Sequence, residues 1–303
     1  MKIGLIQVDG KWPNLALMKL STWHKQWGHQ VEWYKPIFKK TYDRVYASKI
    51  FTDTPDYMYW PDCEIYRGGS GYDLFKHLLP EVETCTPDYS LYPSWHAAVG
   101  YTTRGCPNSC PFCVVPQKEG GLSIVSQDIR QFWTSQPEIV MLDNNLTSVP
   151  MEHFHSIISQ IRNNNLIVNF SQGLDSRLLN EEHLRIMRPH GRFSKGAVRL
   201  GKKRLHFAWD KMSDEKYVRS GIALLTKYYH PHDISFYVLV GYDTTEQEDL
   251  YRIETLQGLG ISIFVMPYRR SDPYQNLLAQ WCNKVAVRKS VSWLQYRKEK
   301  LVG

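Results

Sequence analysis

The chain has no apolar run approaching the roughly 20 residues needed to span a bilayer. Its opening, "MKIGLIQVDGKWPN", is interrupted by Asp9 and Pro13 before a signal-peptide core could form. Both absences point to a cytoplasmic protein with no membrane partner. Cysteine is sparse, six in 303 residues, which is too few for a disulfide scaffold and fits a reducing compartment. Long runs of lysine or arginine are missing as well. The net charge of +7 is therefore compatible with an anionic partner such as nucleic acid without marking a tract that binds one. The densest basic stretch, "GRFSKGAVRLGKKR" (191–204), reads either as a solvated loop or as a phosphate-binding patch.

What is present is enough for a sizeable core, since 43% of the residues are hydrophobic. "KIGLIQV" (2–8) is an uncharged apolar run expected to form a buried parallel strand, and "NLALMKLSTWHKQWG" (14–28) follows with helical spacing and a closing glycine. With "VEWYKP" (31–36), "RVYASKIF" (44–51) and "YMYW" (57–60) as further strands, residues 1–92 read as a small Rossmann-like α/β layer. "CTPDYSLYPSW" (85–95) has two prolines and no periodicity, and reads as a linker.

Beyond it a strand-helix unit recurs six times. The expected strands are 97–103, 138–143, 166–172, 204–210, 234–242 and 261–268; the expected helices are 126–135, 150–165, 180–188, 214–229, 244–260 and 272–285. Such a repeat predicts a parallel sheet with helices outside, curved into a partial barrel, and it places ligands at the carboxyl ends of the strands. A basic, aromatic-bearing helix is expected over 287–300, covering an open sheet edge or contacting nucleic acid.

The first of these strands leads into "RGCPNSCPFCVVPQKEGG" (104–121), with Cys106, Cys110 and Cys113 in eight positions. A structural zinc takes four protein ligands, and the nearest histidines, His96 and His153, lie outside the loop. A four-iron, four-sulfur cluster also takes four, so three thiolates leave one iron open to an exogenous ligand. Pro107 and Pro111 stiffen the loop, as a preformed cradle requires.

"RGCPNSCPFCVVP" followed by six strand-helix units resembles the radical S-adenosylmethionine (radical SAM) enzymes, whose signature is this cysteine spacing with an aromatic residue before the last cysteine, here Phe112. The resemblance covers residues 95 to about 270. It implies a radical SAM partial barrel of (β/α)6 type over 93–270, a C-terminal helical extension over 271–303, and a [4Fe-4S] cluster on Cys106, Cys110 and Cys113. It also implies S-adenosylmethionine on the open iron and an electron donor of flavodoxin or ferredoxin type. The enzyme would cleave the cofactor reductively and use the 5'-deoxyadenosyl radical to abstract hydrogen from a substrate. For cofactor binding, Phe112 is expected beside the adenine, and Asp143, Asn144, Arg177, Asp210 and Gly241 are candidates at strand ends.

Members with a cobalamin-binding-like first domain are the nearest in layout, yet Lys11 stands where such domains carry the cobalamin-binding histidine and Asn14 where they carry a glycine. The first domain is therefore expected to be degenerate, with no cobalamin. Transfer-RNA methylthiotransferases share the "FCVVP" ending, but only Cys63 and Cys85 precede the loop and Cys282 follows far behind, so a second cluster is not expected. The alternatives are a methylthiotransferase-like RNA-modifying enzyme and, from other classes, a non-catalytic iron-sulfur protein and a zinc-stabilised module.

Overall fold

Uncharged Ile3, Gly4, Leu5 and Ile6 are all buried and make Lys2–Gln7 the first strand, β1. The computed structural model describes residues 1–188, 198–200 and 205–302, so most of the basic stretch 191–204 lies outside the described residues. The chain forms two compact units, Met1–Ser109 with Cys113–Leu142, and Cys110–Phe112 with Asp143–Gly303.

In the first unit, β1 is followed by helix α1 (Leu15–Gln26), which Asn14 caps by accepting from the Leu17 backbone N–H. Strands β2 (Gln30–Trp33), β3 (Arg44–Ser48) and β4 (Glu64–Gly68) complete a four-stranded parallel sheet in the order β2-β1-β3-β4. Ile3 and Leu5 pack on Leu17 and Met18 of α1, while Ile6 faces Val45, Ala47, Tyr34 and Tyr42. The fourth strand is not the aromatic run 57–60. Tyr57 and Trp60 instead cover the second of these clusters, and the more polar "EIYRG" takes the edge. An edge strand shows one side to water, so its sequence carries little apolar signal.

After the short helix α2 (Pro80–Glu83), strand β5 (Ala97–Gly100) ends just before β6 (Thr103–Arg104), and helix α3 (Val115–Lys118) precedes β7 (Ser123–Ile124) and β8 (Glu138–Met141). Strands β5 and β8 pair in parallel from Ala97↔Glu138 to Gly100↔Met141. Between β7 and β8 the expected helix 126–135 shrinks to a single 3-10 turn, Ile129–Gln131. Side chains take the backbone groups a helix would use. Ser126 Oγ accepts from Asp128 N, Asp128 from Arg130 N, and Gln136 Oε1 from Thr134 N and Ser135 N.

The second unit alternates helices with parallel strands. Helix α4 (Met151–Asn163) buries Phe154, Ile157, Ile158 and Ile161 as one stripe. Then come β9 (Ile167–Phe170), α5 (Glu181–Met187), β10 (Arg199–Leu200), β11 (Leu205–Ala208), α6 (Glu215–Tyr228), β12 (Ile234–Val240), α7 (Glu246–Gly258) and β13 (Ser262–Pro267). Strand β10 pairs with β9, and β12 lies between β11 and β13, every pairing parallel. Ile234, Phe236, Val238 and Val240, alternate residues that share one face of this central strand, are all fully buried, while Tyr237 and Leu239 on the other face are half-buried.

The chain closes with α8 (Pro273–Asn283), α9 (Val285–Ser290) and α10 (Trp293–Val302). The single helix expected over 287–300 is broken at Val291, whose carbonyl accepts from Trp281 Nε1. This break turns Trp293 onto Trp281, with ring centroids 5.7 Å apart, so α10 packs on α8. The fold is thus mixed α/β with parallel sheets, and no closed barrel forms among the described residues. No helix among them is long and apolar enough to cross a membrane.

Candidate functional site

The cysteine loop is closed at its base by an antiparallel ladder, Thr103↔Ile124 and Arg104↔Ser123. Val125 N and Ser126 N both donate to Thr102 O, at 2.8 and 3.0 Å. Gly105 opens the loop at φ +78°, and a Cβ there would stand 2.2 Å from the Gly121 carbonyl oxygen, so no other residue fits. The Cys106 N–H donates to Gly120 O, and Arg104 Nε meets Glu119 at 2.6 Å. Cys106, Cys110 and Cys113 are in no disulfide among the described residues, and each is partly exposed. Cys106 and Cys113 belong to the first unit, Cys110 and Phe112 to the second. Among the described residues no group of three or more His, Cys, Asp or Glu side chains stands close enough together to hold a metal ion. The donor set nevertheless fits an iron-sulfur cluster in kind: three unbridged, solvent-reachable thiols on one loop whose ends are tied.

Within the second unit the segment Cys110–Phe112 joins the carboxyl ends of the strands. The Phe112 ring packs edge-on against Tyr242, just past β12, at 5.1 Å. Tyr242 in turn meets Tyr268, just past β13, at 4.8 Å. Lys211, which follows β11, sets its Nζ 5.9 Å from the Phe112 ring centre. Beyond β9, Arg177 lies within electrostatic reach of Cys110. The Arg177 fork is filled by a partner of its own: Nε and Nη2 hold both oxygens of Asp175 at 2.8 and 2.7 Å, and Nη1 holds Asp214 at 2.9 Å. These carboxylates, Asp175 first, keep the guanidinium firmly charged.

Asp210 stands beside them. Its Oδ1 accepts from Leu239 N at 3.1 Å. Burial raises its carboxyl to about 6, outweighing that hydrogen bond and the positive charges of Arg252 and Arg177. A carboxyl poised there can hold or release a proton near neutrality.

Beneath the strand ends lies a buried ion pair. Arg252 and Asp249, both fully buried, meet at 2.5 Å. Arg252 also donates to Trp209 O and Leu239 O, and Asp249 accepts from Gly241 N, Thr244 Oγ1 and Tyr274 OH. One pair thereby sets the ends of both β11 and β12. Gly241 has φ +74°, and a Cβ on it would lie 2.1 Å from Gln275 Nε2. That space lets Gln275 accept from Arg269 N at 2.7 Å and hold the turn after β13.

Asp143 is buried, within electrostatic reach of buried His153, whose imidazole pKa burial pushes down while Asp143 opposes the shift. Asn144 is partly exposed beside it. The same stretch supplies Thr147, whose hydroxyl accepts from Asp175 N at 2.8 Å and steadies the Arg177 turn. Arg177, Asp210 and Gly241 are the strand-end candidates expected from the sequence, and the structure adds Lys211, Tyr242 and Tyr268 to them. Each of the three immediately follows a strand, or the glycine or aspartate that ends it, which is the signal that finds them. Asp175 and Asp214 had no such signal, because their role depends on where Arg177 folds. No protein-family model matches this chain, and no curated protein matches it.

Proposed function

We propose that this chain is a radical SAM enzyme. The observation that carries the reading is the cysteine loop: Cys106, Cys110 and Cys113 stand in the signature spacing, and Phe112 packs on Tyr242 at the end of β12. Cys106, Cys110 and Cys113 would hold the cluster. When bound, it supplies the electron that cleaves S-adenosylmethionine to methionine and a 5'-deoxyadenosyl radical. The architecture that goes with this reading is a partial barrel of six strand-helix units over 93–270, preceded by a cobalamin-domain-like layer over 1–92.

The chain's own residues divide the remaining work. Phe112, Tyr242 and Tyr268 form a chain of edge-on rings at the strand ends that would flank a radical that is otherwise unselective. Lys211, with its Nζ 5.9 Å from the Phe112 ring centre, puts positive charge where the anionic carboxylate of a cofactor or substrate can lie, while Arg177 is held by Asp175 and Asp214. Asp210 holds a proton on its carboxyl near pH 6. In the cobalamin-like layer Asn14 is already engaged, capping α1 and donating to Ser48 Oγ at 2.8 Å. Asp9 is engaged too, accepting from Ile50 N and Phe51 N. The reading includes no cobalamin and takes its electron from a flavodoxin- or ferredoxin-type donor.

Anaerobic reconstitution with iron and sulfide tests it. The expected result is a brown protein that forms 5'-deoxyadenosine from S-adenosylmethionine under dithionite, with both properties lost in Cys110→Ala. A cluster inert to S-adenosylmethionine would make the protein an electron carrier or sensor, and a colourless protein with one zinc would make it a zinc-stabilised module. Either outcome overturns the proposal.

A further inference from the structure

The first unit holds a cavity of about 180 Å3 beside Arg104, the residue that starts the cysteine loop. The radical chemistry makes no use of it. Leu15, Val125 and Phe132 form its apolar wall, and Lys19, Glu83, Tyr101 and Arg104 its polar side. The ammonium of Lys19 is spent, with Nζ 2.6 Å from Glu83 O, 2.9 Å from Glu83 Oε2 and 3.5 Å from the Tyr101 hydroxyl. Arg104 is only partly spent. Its Nε donates to Glu119 and its Nη1 to Glu83, while Nη2 makes no hydrogen bond among the described residues. The side-chain amide of Gln131, also in the lining, makes none among them either.

Charge and shape then select a ligand. Three cations, Lys19, Arg104 and Lys118, share two carboxylates, Glu83 and Glu119, so one positive charge is left over across the cluster. Glu119 meets Arg104 at 2.6 Å and Lys118 at 3.7 Å. A bare inorganic anion would leave the Leu15, Val125 and Phe132 wall wet, and an uncharged ring would leave the second Arg104 amine without an acceptor. The volume admits a single ring and little more. We propose that this cavity binds a small aryl carboxylate. Its carboxylate accepts from Arg104 Nη2 and the Gln131 amide, and its ring lies against Leu15, Val125 and Phe132. Since Arg104 also belongs to the ladder that shuts the cysteine loop, such a ligand reinforces the base of that loop.

Benzoate and its uncharged counterpart benzyl alcohol test this on the full chain by calorimetric titration, with no cluster needed. Benzoate is expected to saturate one site, with benzyl alcohol at least about tenfold weaker. Arg104→Lys, which keeps the charge but loses Nη2, should weaken benzoate several-fold and leave benzyl alcohol nearly unchanged. Val125 is 44% exposed, so Val125→Trp fills the cavity from its rim without cutting into the core; it should abolish binding with thermal unfolding unchanged. The proposal is overturned if benzoate shows no saturation up to about 10 mM, which is weaker than any useful site. It is equally overturned if the two probes bind alike, or if Val125→Trp binds benzoate as the parent does.

Discussion

Asp210 and Gly105 show how much one residue can carry. Burial lifts the Asp210 carboxyl to about 6 from an ordinary 3.8. The folded state therefore holds that proton more tightly than the unfolded chain does, and the stability it brings is complete below about pH 4 and lost as pH rises through 6. Asp210→Asn keeps the acceptor for Leu239 N and removes the charge. It should stabilise the folded state at pH 8 by on the order of 1–2 kcal/mol after solvent screening, seen as a higher melting temperature, with a gain that fades towards pH 4. Equal melting of the two proteins at pH 8 would sink the idea. Gly105 poses a steric problem instead. Gly105→Ala must push a Cβ into the Gly121 carbonyl from a left-handed backbone, at a cost of about 1–3 kcal/mol. Urea titration should show that loss, and iron uptake on reconstitution should fall with it.

Elements were legible where an apolar stripe or a cap repeated and illegible where side chains competed with the backbone. Helix α7 starts with a reciprocal cap: Thr245 Oγ1 accepts from Glu248 N, and the Glu248 carboxylate accepts from Thr245 N. Thr245→Ala should cost about 1 kcal/mol in urea unfolding. Helix α4 shows its stripe openly, and Ile157→Ala, at a fully buried position, should cost about 2–5 kcal/mol by the same measurement. Residues 126–135 carry Ile129, Phe132 and Trp133 at helical spacing, yet Ser126, Asp128 and Gln136 capture the backbone N–H groups and stop the helix at one turn. In the first sheet the aromatic run at 57–60 has the stronger strand pattern, yet it packs over the core while residues 64–68 form the edge strand β4. Pairing with β3, from Arg44↔Glu64 to Ser48↔Gly68, makes residues 64–68 a strand, and no pattern within the segment does.

The stability of the whole molecule should depend on pH through a second buried group. His24 is 1% exposed, with Nδ1 2.9 Å from Nδ1 of His29. Burial, helped by His29, Arg44 and the chain's amino terminus, lowers its pKa from 6.5 to about 4. The unfolded chain therefore takes up this proton first, and the stability present above pH 6.5 is lost as pH falls from there to about 4, by about 2–3 kcal/mol. Thermal melts of His24→Asn should show a flatter slope over that window than the parent. An unchanged slope would assign the acid loss to carboxylates such as Glu83, where the hydrogen bond and charge of Lys19 overcome burial and hold the pKa low.

The sequence by itself determined the alternation of parallel strands and helices and the spacing of Cys106, Cys110 and Cys113, because period, caps and covalent order are local properties of the chain. Only the tertiary structure decided which charges meet. The Arg177 fork looked free for a ligand and is held by Asp175 and Asp214; Asp210 looked like an ordinary strand-end acid and is buried enough to hold a proton. Arg252 and Asp249 sit three residues apart on α7, yet their burial beneath the ends of β11 and β12 makes them the tie for both strands. Ion pairing and desolvation depend on neighbours brought from distant parts of the chain, and that information exists only once the chain has folded.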